Sequence, residues 1–157
     1  MPTSSATSEH QLEQASAERK IAETTFHVRY AETDQMGIVH HSVYPIWMEE
    51  GRSAWSRRVG WPYAEFERAG YALAVSELNV RFLAPARYDQ LVTVRTYVRQ
   101  VRSRQIRFEY EVVDTQSGQL LASGYTMHIC VDRQARTTRI PADWLEQWSR
   151  LVLEQPA

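Results

Sequence analysis

The chain has 157 residues, 43% of them apolar, with 18 Lys plus Arg against 19 Asp plus Glu and a single cysteine. A chain near that length buries roughly 68–70% of the surface its unfolded form exposes, so one core suffices, and Cys130 alone supplies neither an internal disulfide nor a metal cage. Near-neutral charge gives no reason to expect nucleic acid as a partner, and no apolar run reaches the ~18 residues of a membrane span. With no basic, apolar leader at the N-terminus, the expectation is a cytoplasmic protein without integral membrane association.

Residues 1–23 are rich in Ser, Ala, Glu and Gln. They cannot bury enough surface to offset their ordering entropy, and are expected to be a mobile tail ahead of a single domain over 24–157. From Thr25 to Tyr30, Phe26, Val28 and Tyr30 alternate with His27 and Arg29, the period of a half-buried strand. A turn follows over Glu32–Gly37. Ser42 is then the expected helix N-cap, with Pro45 tolerated in the first turn. Tyr44, Met48, Gly51, Trp55 and Val59 recur at helical spacing, and Gly60-Trp61-Pro62 stops the helix. A shorter helix is predicted over Tyr63–Ala69.

Beyond Gly70 the period changes to two. Leu78, Val80 and Phe82 mark one strand, Val92, Val94 and Val98 a second, and Ile106, Phe108, Tyr110 and Val112 a third. Leu121–Val131 is a fourth, entered through Ser117-Gly118. Pro141 opens a terminal helix carrying Trp144, Leu145, Trp148 and Leu151. The pattern suits an α+β fold in which a curved, five-stranded antiparallel sheet wraps around one long central helix. One helix cannot cover that sheet and its edges are open, so a second copy is expected, in a homodimer or a tetramer.

The segment with the most chemical content runs Tyr30-Ala-Glu-Thr-Asp34-Gln-Met-Gly37-Ile-Val-His-His41-Ser-Val-Tyr44. A carboxylate in a loop between a strand end and a helix start, beside a glycine that allows close approach, lies next to free backbone N–H groups and a positive helix end. Such a set can hydrolyse an activated ester: the carboxylate attacks the carbonyl or deprotonates a water, and the N–H groups hold the oxyanion. Through roughly residues 24–150 this segment and the strand order after it resemble the 4-hydroxybenzoyl-CoA thioesterase family of hotdog-fold proteins, including its YbgC-type acyl-CoA thioesterases. The departure is Val43, where many YbgC-type members carry Asn.

The resemblance implies thioester hydrolysis with no metal and no organic cofactor, coenzyme A being part of the substrate. It implies Asp34 as nucleophile or general base, and His41, through its backbone N–H or its imidazole, as the polarising group. Gly37, Tyr44 and Trp47 are then substrate-binding candidates. Arg95, Arg99, Arg102, Arg104 and Arg107 form an acid-free run. Arg102 and Arg104, at a predicted turn, match the place where relatives put basic residues on the phosphates of coenzyme A, the alternative being a solvated face paired with Glu109 and Glu111. A small or aromatic acyl-CoA is the expected substrate. An acyl carrier protein thioesterase and a noncatalytic acyl-CoA-binding protein are the alternatives. Hydratase signatures (His-Phe-Pro, Gly-Asp-x-Asn-Pro) and the Gly-x-Ser-x-Gly of serine hydrolases are absent from the sequence.

Overall fold

The computed structural model describes residues 5–154; Met1–Ser4, the start of the stretch read as a tail, lie outside it. In chain order the elements are helix α1 (Ser5–Arg19), strand β1 (Ala22–His27), a 3-10 turn at Tyr30–Glu32 and another at His41–Val43. Helices α2 (Tyr44–Arg58) and α3 (Tyr63–Arg68) follow, then strands β2 (Ala72–Phe82), β3 (Leu91–Val101), β4 (Gln105–Asp114) and β5 (Leu120–Val131), and helix α4 (Ala142–Arg150). The sheet order is β1-β3-β4-β5-β2, antiparallel throughout. This is the expected α+β hotdog architecture, a sheet curved around one long helix.

Two boundaries differ from the sequence reading for identifiable reasons. The first strand starts at Ala22, inside the stretch read as tail, and leaves the ladder after His27. The alternation continues to Tyr30, but there the backbone N–H of Arg29 turns to the Glu32 carboxylate and Tyr30 is exposed, edge-on to Tyr88. Ser42 is not the cap of α2: it lies within the preceding 3-10 turn, whose cap is His40, with Nδ1 accepting the Ser42 N–H at 3.2 Å. Pro45 does sit in the first turn of α2, as its missing donor permits.

The apolar stripe of α2 is the centre of the core. Tyr44, Trp47, Met48, Gly51 and Trp55 are buried, and α2 packs chiefly on β1 and β3. Gly51 lets helix and sheet approach closely, since a Cβ there would collide with Thr96 Oγ1 on β3. A second aromatic cluster closes one end, with Phe66 of α3 between Trp144 and Trp148 of α4 at 5.1 Å from each. Truncating such a residue to Ala typically costs about 3–5 kcal/mol. On the opposite sheet face, Arg95 pairs with Glu23 and Glu111, and Glu109 with Arg99 and Arg107. Three of the five arginines in the basic run are therefore paired with carboxylates on this face, Arg95 and Arg99 across strands and Arg107 along β4.

His128 on β5 is a buried histidine in this core, at 2% exposure. Burial, helped by the Arg52 charge, pushes its pKa from the ordinary 6.5 down to about 4, with the Leu73 backbone pulling weakly the other way. The unfolded chain thus takes up a proton at this site before the folded chain does. Its stabilising contribution is complete above pH 6.5, declines as pH falls from 6.5 towards 4, and is level below that. The window corresponds to roughly 3 kcal/mol. Chemical denaturation at pH 7.5 and pH 4.5 is expected to show a smaller loss of stability in His128→Gln than in the unsubstituted protein, the difference carrying the sign just given.

Candidate active site

Asp34 is fixed by a tight turn closed on itself. Its N–H donates to the Ile38 carbonyl at 2.8 Å and its carbonyl accepts the Gly37 N–H at 2.9 Å, while Oδ1 accepts the Met36 N–H at 2.8 Å. Gly37 makes the reversal possible with φ of +77°, a conformation that side chains rarely adopt. The other carboxylate oxygen, Oδ2, has no hydrogen-bond partner among the described residues. One strand-like bridge, Thr33 to Val39, sets the two arms of the loop against each other.

The loop delivers the chain to the 3-10 turn that precedes α2. There the first amide, that of His41, has no acceptor among the described residues, as expected for the opening N–H of a helical segment. Asp34 and His41 line one cleft of about 390 Å³, with Tyr44 beneath and Ile38, Phe82 and Leu83 as apolar walls. The phenol of Tyr44 is held neutral, because burial raises its pKa. A carboxylate oxygen free of partners, donors at the positive end of a helical segment, and an apolar wall are thereby brought to one place.

The remaining predicted site residues separate. Gly37 shapes the loop and is not on the cleft surface. Trp47 lies behind Tyr44, buried, with ring centroids 5.0 Å apart, and makes no part of the cleft wall. Arg102 and Arg104 sit in the β3–β4 turn, and β3 runs 11 residues from the end near Asp34 to that turn. At about 3.3 Å per residue this puts them roughly 30 Å or more from the Asp34 cleft of their own chain.

The residue that sequence reasoning passed over is Glu32. Its side chain is 6% exposed, yet it is satisfied completely: Oε1 accepts the Arg29 N–H at 2.7 Å and meets Arg29 Nε at 3.3 Å, and Oε2 accepts the indole N–H of Trp47 at 2.7 Å. Its backbone carbonyl accepts the His40 N–H at 2.9 Å. Glu32 therefore clamps three segments, namely the end of β1, the Asp34 loop and the second turn's start on α2. No spacing rule marks such a residue; a glutamate in a polar turn reads as solvent-facing until the indole above it is seen.

The family described as "Thioesterase-like superfamily" matches residues 28–148. The putative acyl-CoA thioesterase YneP of Bacillus subtilis is 33% identical over 115 residues, covering 73% of this chain and 83% of that protein. The hypothetical protein TT1821 from Thermus thermophilus superposes with a TM-score of 0.79 at 44% identity, over 85% of this chain and 99% of the other. A DHNA-CoA thioesterase from Staphylococcus aureus gives a TM-score of 0.79 at 30% identity, over 83% and 90% of the two chains.

Proposed function

The chain belongs to the thioesterase-like superfamily, and we propose that it is a cytoplasmic acyl-CoA thioesterase that hydrolyses a small or aromatic acyl-CoA with the Asp34 carboxylate and water. The observation that carries this reading is the seating of Asp34 and His41 on one apolar cleft at the start of α2. A thioester carbonyl lying there has the carboxylate on one side and the His41 N–H on the other. The carboxylate drives attack on the carbonyl carbon, directly or through a water it deprotonates, and the N–H holds the oxyanion. The C–S bond breaks and coenzyme A leaves as the thiol; on the direct route the Asp34–acyl anhydride so formed is then hydrolysed by water to free the acid and the carboxylate, and on the water route the attacking water's oxygen leaves in the acid. The reading calls for no metal and no organic cofactor.

Free-thiol release from a panel of short-chain, aromatic and long-chain acyl-CoAs tests it. Turnover is expected on short-chain or aromatic members, and a panel left intact overturns the proposal, with calorimetric binding in its place pointing to a noncatalytic acyl-CoA-binding protein. The same acyl group offered on coenzyme A and on an acyl carrier protein is expected to be released faster from coenzyme A; the reverse order assigns the carrier-protein activity.

Assembly enters the same reading. Strand β2 is an 11-residue edge, paired among the described residues only with β5, and Val75, Leu78 and Phe82 along it are about half exposed. Such an edge is a template for a second strand, and a two-fold axis through it would build a dimer, or a tetramer of such dimers. Antiparallel pairing would set the turn end of one sheet beside the helix-start end of the next, so that Arg102 and Arg104 would reach coenzyme A phosphates from the second copy. Sedimentation is expected to give at least twice the chain mass; an active monomer overturns this arrangement.

A further inference from the structure

A second cavity, of about 380 Å³, lies on the sheet side of α2, away from Asp34 and His41. Trp55, Phe108 and Trp148 give it an apolar body, and Arg52, Tyr63 and His128 give it polar atoms. Their partners are few but present. The Arg52 side chain is 17% exposed and carries five N–H donors, of which the described residues take one, at the Tyr110 hydroxyl, 3.2 Å away. Its nearest carboxylate, Glu49, is 3.9 Å distant and 74% exposed. Trp148 and His128 contribute ring surface, the Trp148 indole N–H being enclosed and His128 bonding Thr126 through Nε2. The Tyr63 hydroxyl accepts the Leu73 N–H at 3.0 Å and keeps its own proton to give.

A partly buried charge with one hydrogen bond and a loose, exposed ion-pair partner can gain from a closer counter-charge. Here the Arg52 guanidinium and the Tyr63 O–H are donors on one apolar-walled space. Glu49 and Glu67, the acids on its lining, are exposed residues. His128 is uncharged at neutral pH, since burial lowers its pKa, so Arg52 is the cation of the cavity. We propose that this cavity is a second binding site, taking a small monocarboxylate with a compact apolar body and holding its carboxylate on the Arg52 guanidinium. The site does not depend on the hydrolase reading, and no substrate thioester is needed to fill it.

Calorimetric titration of the full chain with benzoate and with benzamide tests the site, since the two differ in charge and scarcely in shape. Benzoate is expected to saturate at one site per chain and to bind about tenfold or more tightly than benzamide, the usual size of a charge-assisted contact. Arg52→Met should abolish that preference and leave benzamide unchanged, while Arg52→Lys should retain part of it. Asp34→Asn should bind benzoate as the unsubstituted protein does. Equal affinity for the two probes in the unsubstituted protein overturns the proposal without recourse to any variant. So does benzoate binding that survives Arg52→Met, or that changes with Asp34→Asn and places the ligand in the other cleft. A cavity filled only by water, with no saturable benzoate, overturns it as well.

Discussion

Asp34→Asn is expected to lower thioester hydrolysis by about 10³-fold or more, close to 4 kcal/mol of transition-state stabilisation, with the melting temperature nearly unchanged. The two halves of this expectation come from different atoms. Oδ1 holds the Met36 N–H, and an asparagine oxygen accepts the same bond, so the turn that Gly37 closes keeps its shape. Oδ2 is the group without a partner, and replacing it by an amide nitrogen removes both the nucleophilic oxygen and the base. Acyl-CoA binding should persist, because the walls formed by Ile38, Tyr44, Phe82 and Leu83 are untouched. Single-turnover thiol release with saturating acyl-CoA separates the chemical step from binding. Full activity in this variant would remove Asp34 from the mechanism, and loss of acyl-CoA affinity alone would make it a binding residue.

What could be read from the chain depended on whether the signal was local. The stripe from Tyr44 to Val59 located α2 because helical spacing is a property of one segment, and its aromatic content foretold its burial. The Asp34 loop was legible for a similar reason, with carboxylate, glycine and helix start within a dozen residues. Relations between segments were not. Leu78 and Phe82 alternate as core residues do, yet both are about half exposed, because β2 is an edge and α2 leans towards β1 and β3. Arg102 and Arg104 were correctly placed at a turn, but the distance of that turn from Asp34 follows from the length of β3, and alternation does not say which end of a strand faces a loop formed earlier in the chain. Trp47, a substrate-binding candidate beside Tyr44 in the sequence, is turned inward by its hydrogen bond to Glu32.

That hydrogen bond leads to the second large effect, one on stability. Glu32→Ala leaves the buried Trp47 indole N–H without an acceptor, at about 1–3 kcal/mol, and frees the part-buried Arg29 N–H, which water can reach at lower cost, so a loss of roughly 2–4 kcal/mol is expected in denaturant unfolding. Trp47→Phe removes the indole donor while keeping an aromatic ring against Phe26 and Tyr44, and should cost less on its own. The two substitutions share a bond, so their combined effect should fall short of the sum, and the shortfall measures the coupling. Glu32→Gln is the more discriminating change. Its single carbonyl oxygen can replace one acceptor but not both, so about half of the stability loss should return. Activity should follow a different course, because Glu32 also receives the His40 N–H through its backbone and so ties the Asp34 loop to the start of α2. If the carboxylate sets that geometry, Glu32→Gln lowers kcat more than it raises KM at a temperature where the variant is fully folded. An unchanged kcat there would confine Glu32 to holding the fold together, and the alignment of Asp34 with the His41 amide would rest on the backbone bonds alone.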